Sequence, residues 1–309
     1  MSPLFRAGKE LRKLSIIIFL VFTTSFTPIA AKFTVAEISP LSLAFLRFGI
    51  AAVLLNIVFH YKKLSYKIDR SDIPMFLWLG ALVIPINQFF FLNGIKLSFA
   101  SHSGVTYACT PLFAYLISIG LDHEKFNVRR LIPILMTIIG IFFVFYDSIM
   151  KTKATDSNVI LGDTLLVFAV LSWAAYISMN RNVIKKYGAV KTSTIAFTIG
   201  IIMYIPIFLF DMHNLTFSHM TLPGILGFIH LSLLVSFAGY FVFTYSVRYI
   251  SITELTTSTN VAPIVTIVFS WILLNEEITY FFVIGAVVTI AGVFLSQCNG
   301  KERTGGIIN

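Results

Sequence analysis

The stretch GIKLSFASHSGVTYACTPLFAYLISIGLDHE, residues 94–124, and the later stretch VAPIVTIVFSWILLNEE, residues 261–277, decide how this chain folds. Each carries a proline followed 13 residues later by a glutamate, Pro111 with Glu124 and Pro263 with Glu276. The match extends to both sides. Lys96 and Arg248 precede the prolines, Gly140 and Gly292 follow the glutamates, and every pair is 152 residues apart. A chain that repeats itself at a constant offset contains one structural unit twice. If that unit crosses a membrane an odd number of times, its two copies insert upside down to one another. Many secondary transporters build a site that opens to either side of a bilayer in this way.

Composition places the unit in lipid. Of 309 residues, 57% are hydrophobic and 12% charged, with a mean hydropathy of +0.87. A soluble domain carries roughly a quarter charged residues, so this chain has too few for a water-facing surface. The net charge of +9 sits in short loops between apolar runs rather than on one face, which argues for topology and against nucleic-acid binding. Cys109 and Cys298 form no CxxC and imply neither a disulfide framework nor a metal site. No small-residue cleavage site follows the first apolar stretch, so it is expected to remain as a helix.

Apolar stretches of spanning length fall near 14–32, 40–59, 73–95, 98–120, 130–147, 162–181, 192–210, 221–245, 251–273 and 278–297. Each is about the ~20 residues that a helix needs to cross the hydrocarbon core. With the N-terminus inside, 18 lysines and arginines fall in cytoplasmic segments against four outside, and Arg47 lies within a span. The positive-inside rule then puts both termini in the cytoplasm. The expected fold is an all-α membrane protein of ten helices, arranged as two inverted five-helix repeats over 14–147 and 162–297. The polar segment 148–161 joins them.

These residues resemble the EamA-type drug/metabolite transporter superfamily, whose members are ten-helix permeases. The resemblance rests on PLSLAFLRFGIAAVLL at 40–55, on the stretch 94–124 and on the echo of TPLFAYL in 261–277, and it runs from about residue 14 to 297. It implies a secondary transporter, an exporter of small metabolites such as amino acids or related compounds, working by alternating access across the cell membrane. Nucleotide-sugar or drug-type permeases of the same superfamily are the alternative. The second half departs from the pattern, since the stretch matching Arg47 reads TIAFTIG.

Candidate residues follow from polarity inside the spans. Asn87, Gln88, Tyr107, Trp173, Tyr176, Tyr240 and Asn260 offer amide or aromatic groups with one polar edge, suited to a cavity for an amphiphilic solute. The alternative for the aromatic residues is packing or the interfacial belt, as for Trp78 and Trp271. The fourth span carries Ala100, Gly104 and Ala108 every fourth residue, a stripe for close helix approach; the ninth has Ile252, Thr256 and Asn260 instead. Pro111 and Pro263, read as lying inside their helices, are hinge candidates.

His102, matched at the same offset by Glu254, and His230 are proton-coupling candidates. Solvation at an interface is the other reading for His102 and Glu254, and packing for His230. Arg47 either pairs with Glu37 or faces the cavity. Glu124 and Glu276 read as caps or loop ion-pair partners. A membrane enzyme is the other class, but Asn127 breaks the HExxH-like string begun by His123 and Glu124, and no GxSxG or GxxxxGK[ST] occurs. Asp122, Asp147, Asp163 and Asp211 read as span-end residues that do not face one another. No cofactor or metal is expected. The expected partners are a metabolite and the lipid bilayer, with the protein a monomer or a dimer.

Overall fold

The structure is a computed structural model and describes residues 3–121, 128, 131–155, 158–215, 220–239, 241–242 and 261–298. Among these residues every regular element is helical. The helices are α1 (Pro3–Val35), α2 (Pro40–Tyr61), α3 (Ile73–Ala81), α4 (Asn87–Leu97), α5 (Ala100–Ala108) and α6 (Thr110–Gly120). They continue as α7 (Leu131–Thr155), α8 (Val159–Tyr187), α9 (Ala189–Asp211), α10 (Leu222–Ile229), α11 (Ala262–Leu274) and α12 (Tyr280–Cys298). A π-helical segment, Leu82–Ile86, carries Pro85 and joins α3 to α4; a second, His230–Gly239, continues α10. Wide turns of this kind absorb a missing backbone hydrogen bond without breaking the span.

Seven helical stretches among the described residues are long and apolar enough to cross a bilayer, and α5 with α6 makes an eighth, bent by 41°. Two shorter apolar helices, Ala262–Leu274 and Tyr280–Ser296, follow. The protein is a multi-pass membrane protein. Its outward apolar side chains, such as Phe142 and Trp271, cover a surface that lipid rather than water must meet.

The bend in the fourth span has a local cause. Pro111 stands in the first turn of α6, where proline's missing N–H costs no helical hydrogen bond. Cys109 closes α5, and its carbonyl accepts from Leu112 at 3.0 Å and Phe113 at 3.1 Å. Pro263 likewise occupies the first turn of α11. The two prolines therefore start helices, a correction to their expected place inside them.

Helix pairs meet where side chains are small. Helix α7 lies along α12, α5 against α11, α2 along α9, and α3 against α9. Helix α1 packs on α10, on its π-helical continuation and on α11; α8 packs on α4, the Leu82–Ile86 segment, α5 and α6; and α2 meets the His230–Gly239 segment. Between α7 and α12 the approach is reciprocal. A Cβ on Gly140 would stand 2.1 Å from Thr289 Oγ1, and one on Gly292 would stand 2.7 Å from Thr137 Oγ1. These two threonines are themselves 152 residues apart.

Candidate functional site

Five helices end and five begin at one end of the bundle among the described residues, and polar side chains stitch them together. Carboxylates cap helix N-termini in other elements, where unsatisfied N–H groups and the helix dipole favour an anion. Asp211 accepts from the Ser42 N–H at 3.0 Å and hydroxyl at 2.7 Å, at the start of α2. Glu37 accepts from the Thr221 N–H at 3.0 Å and from its hydroxyl, at the start of α10. Glu276 accepts from the N–H of Ala100 at 2.6 Å and of Ser101 at 3.0 Å, and from the Ser101 hydroxyl at 2.6 Å, at the start of α5. Glu276 is thus a cap, as its place in a polar turn suggests, but of a helix 175 residues away. Asn275, in the left-handed region at φ 52°, turns the chain so that Glu276 reaches across; asparagine tolerates that conformation where most residues do not.

Beneath this cap lies His102, with no exposed surface. Its Nδ1 is 2.9 Å from Asp163 Oδ2 on α8, and its Nε2 is 3.1 Å from Asp147 Oδ2 on α7. Lys151 Nζ lies 3.0 Å from the same Asp147 oxygen and donates to the Glu277 carbonyl at 2.9 Å. Asp163 also accepts from the hydroxyls of Ser98 and Ser148, and Asp147 from that of Thr279. Phe282 stacks flat on the imidazole at 5.1 Å, and Phe99 packs against it at the same distance. From α1, Lys32 donates to the Ile95 carbonyl at 2.9 Å and to that of Ser98, where α4 ends. A pocket of about 290 Å3 lined by Glu37, Ser39, Lys96 and Asn214 opens beside the network.

Both readings of the ends are corrected here. His102 is not solvated at an interface, and Asp147 and Asp163 face one another across its ring. Sequence reasoning passed over Asp147 and Asp163 because each lies at a span boundary, 45 and 61 residues from His102. The spacing of Asp147 and Lys151, one helical turn apart within an apolar span, was the signal available.

Deeper in the bundle, part of the expected lining does come together. Asn87 Nδ2 donates to the Ala169 carbonyl at 2.8 Å and stands 3.2 Å from Ser172 Oγ and 3.4 Å from Tyr107 OH. Gln88 donates to Asn87 Oδ1 at 2.6 Å. One turn along α8, Trp173 stacks on Tyr176 at 5.3 Å. Arg47 is buried and does not reach Glu37: its Nε donates to Ser236 Oγ at 3.1 Å, and its guanidinium lies over the Phe48 ring. His230 Nε2 is 3.2 Å from the Thr23 carbonyl, with its ring against Phe22 and Phe26. Tyr240, Glu254, Thr256, Asn260 and Glu124 lie outside the described residues. Trp78 and Trp271 are exposed, 58% and 59%, facing outward as belt residues do.

At the opposite end, Lys186 bridges Asp69 at 2.5 Å and Asp72 at 2.7 Å. The Lys186 hydrogen bond holds the exposed Asp69 carboxyl below the usual carboxylate range.

The model of the EamA-like transporter family matches residues 11–146 and again 160–297. The chain belongs to that family. An uncharacterized transporter of Archaeoglobus fulgidus is 27% identical to this EamA-like protein, over 92% of this chain and 96% of its own. The uncharacterized transporter YyaM of Bacillus subtilis is 26% identical, over 95% and 99%. A solved crystal structure aligns with a TM-score of 0.59 over 93% of this chain and 97% of its own, at 14% identity, a likeness of fold alone. This EamA-like protein is a membrane transporter.

Proposed function

We propose that the protein is a secondary transporter built from two inverted five-helix repeats, with both termini cytoplasmic, which exports small metabolites such as amino acids by alternating access. One observation carries the reading: the most extensive helix contacts among the described residues survive exchange of each span for the one five places on. Spans four and nine meet (α5 with α11), as do five and ten (α7 with α12) and two and seven (α2 with α9). The first span's contacts with the eighth and ninth answer those of the sixth (α8) with the third and fourth. The Thr137–Gly292 and Thr289–Gly140 contacts repeat the same exchange at the scale of single atoms.

On this reading the charge network closes the outer face. The solute site lies deeper, between the halves, with Asn87, Gln88, Tyr107, Trp173 and Tyr176 from the first half and start of the second, completed by Tyr240 and Asn260. Pro111, which starts the second leg of the bent fourth span, and Pro263, in the first turn of α11, are the hinges on which these helices rock. The His102 cluster supports gating rather than hydrolysis. Both ring nitrogens face carboxylates, so neither is left to act as a base on a substrate.

Purified protein in liposomes preloaded with an amino-acid mixture should exchange labelled amino acids without nucleotide. Flux that depends on ATP hydrolysis overturns the reading, and counterflow with individual amino acids identifies the substrate.

A further inference from the structure

His102 is a charged site by geometry. A neutral imidazole donates from one nitrogen only, and would turn the lone pair of the other toward a carboxylate. Here Nδ1 faces Asp163 and Nε2 faces Asp147. Only the imidazolium donates to both. The charged groups around it are Asp147 and Lys151 on α7, Asp163 on α8, Glu276 after α11, and Lys32 on α1. No charged side chain comes from the described part of α12, which presents Phe282 to the imidazole. With His102 protonated, three cations face three anions; without that proton the buried set carries an unmatched negative charge, which a low-dielectric site tolerates poorly. Among the described residues no group of His, Cys, Asp or Glu is arranged to hold a metal ion.

We propose that His102, Asp147 and Asp163 form a proton-binding site that latches this end of the transporter. The proton arrives from water when the end is open and bonds to a ring nitrogen. The imidazolium then pulls the ends of α7 and α8 onto α5, and Thr279, held by Asp147, brings the start of α12 with them. Loss of the proton leaves two carboxylates facing one another, and the end opens. The latch rests on the transporter reading for its purpose, but its test needs no solute.

Spin labels at Leu161→Cys on α8 and Tyr280→Cys on α12, both exposed positions (51% and 76%), report the opening in full-length protein carrying Cys109→Ala and Cys298→Ala, held in lipid nanodiscs. Electron–electron distance measurements across a pH series should show one short distance in acid. Its share should fall about tenfold per pH unit beyond the midpoint, in the window where the closed form binds one proton more than the open form. His102→Gln should remove the pH response. Asp163→Asn, which takes away one facing anion, should move the midpoint to more acid buffers, and it serves alone if His102→Gln does not fold. The Asp69–Lys186 pair at the far end titrates below the usual carboxylate range and weakens as pH falls through it, so its response runs the other way. A distance independent of pH, a response that survives His102→Gln, or an unmoved midpoint in Asp163→Asn overturns the latch. Intact liposome flux with such a result leaves the transport reading standing; lost flux with an intact pH response does the reverse.

Discussion

Single residues at the capped end are held by several partners each, and Glu276 is one of the most heavily used. Its carboxylate accepts three hydrogen bonds from Ala100 and Ser101 in a buried setting. Each bond to a charged group contributes about 1.5–3 kcal/mol, and removing the acceptor leaves buried donors unsatisfied. Glu276→Ala should therefore lower the thermal midpoint in detergent by several degrees. Glu276→Gln, which keeps one acceptor oxygen, should lower it less, and equal midpoints for the two would show that the capping bonds carry little. Glu276 was legible as a cap because it follows an apolar run in a polar turn. Its target was not, since nothing in local sequence says which of several helix starts lies beside that turn. The same holds for His102: its type suggested titration, but its partners come from two other helices and only tertiary packing joins them.

Helices α7 and α12 approach one another closely, and their contact tests what glycine does there. A Cβ on Gly140 meets both a side-chain oxygen, Thr289 Oγ1, and a backbone oxygen, Gly285 O, at 2.7 Å. Overpacking of this kind costs about 1–3 kcal/mol. Gly140→Ala should destabilise the protein by that order in a detergent unfolding assay. Adding Thr289→Ala should recover only part, because the backbone oxygen stays in place. Full recovery would mean that the hydroxyl alone sets the distance. The repeat of Gly140 and Gly292 pointed to this contact in the sequence, while the threonines opposite them did not stand out among so many apolar positions. Where helices lie was legible from the length of apolar runs, but their ends were not: α7 runs on to Thr155 and α8 begins at Val159, so most of the expected joining segment 148–161 is helical. The breaks were not: Pro85 and Pro111 look alike in sequence, yet one is absorbed by π-helical turns and the other starts a new helix after a 41° bend.

For the whole molecule, the balance of lysine and arginine between loops, together with the stitching of helix ends, predicts one arrangement in the membrane. Exposed Lys96 and Asn158 belong to the end that carries the His102 network, whereas Lys186 and Lys191 belong to the end where Asp69 and Tyr187 meet. The second group sits in segments rich in cations, so translocation machinery should retain it in the cytoplasm. An impermeant thiol reagent added to intact cells should label Lys96→Cys and Asn158→Cys in a Cys109→Ala, Cys298→Ala background. It should reach Lys186→Cys and Lys191→Cys only after the membrane is permeabilised. Labelling of all four from outside would break the assignment of ends, and the reverse pattern would turn the protein over and hand the proton latch to the cytoplasmic face. With the expected pattern, His102 meets the outer medium whenever its end opens, so acidifying that medium alone should speed closure of the transporter.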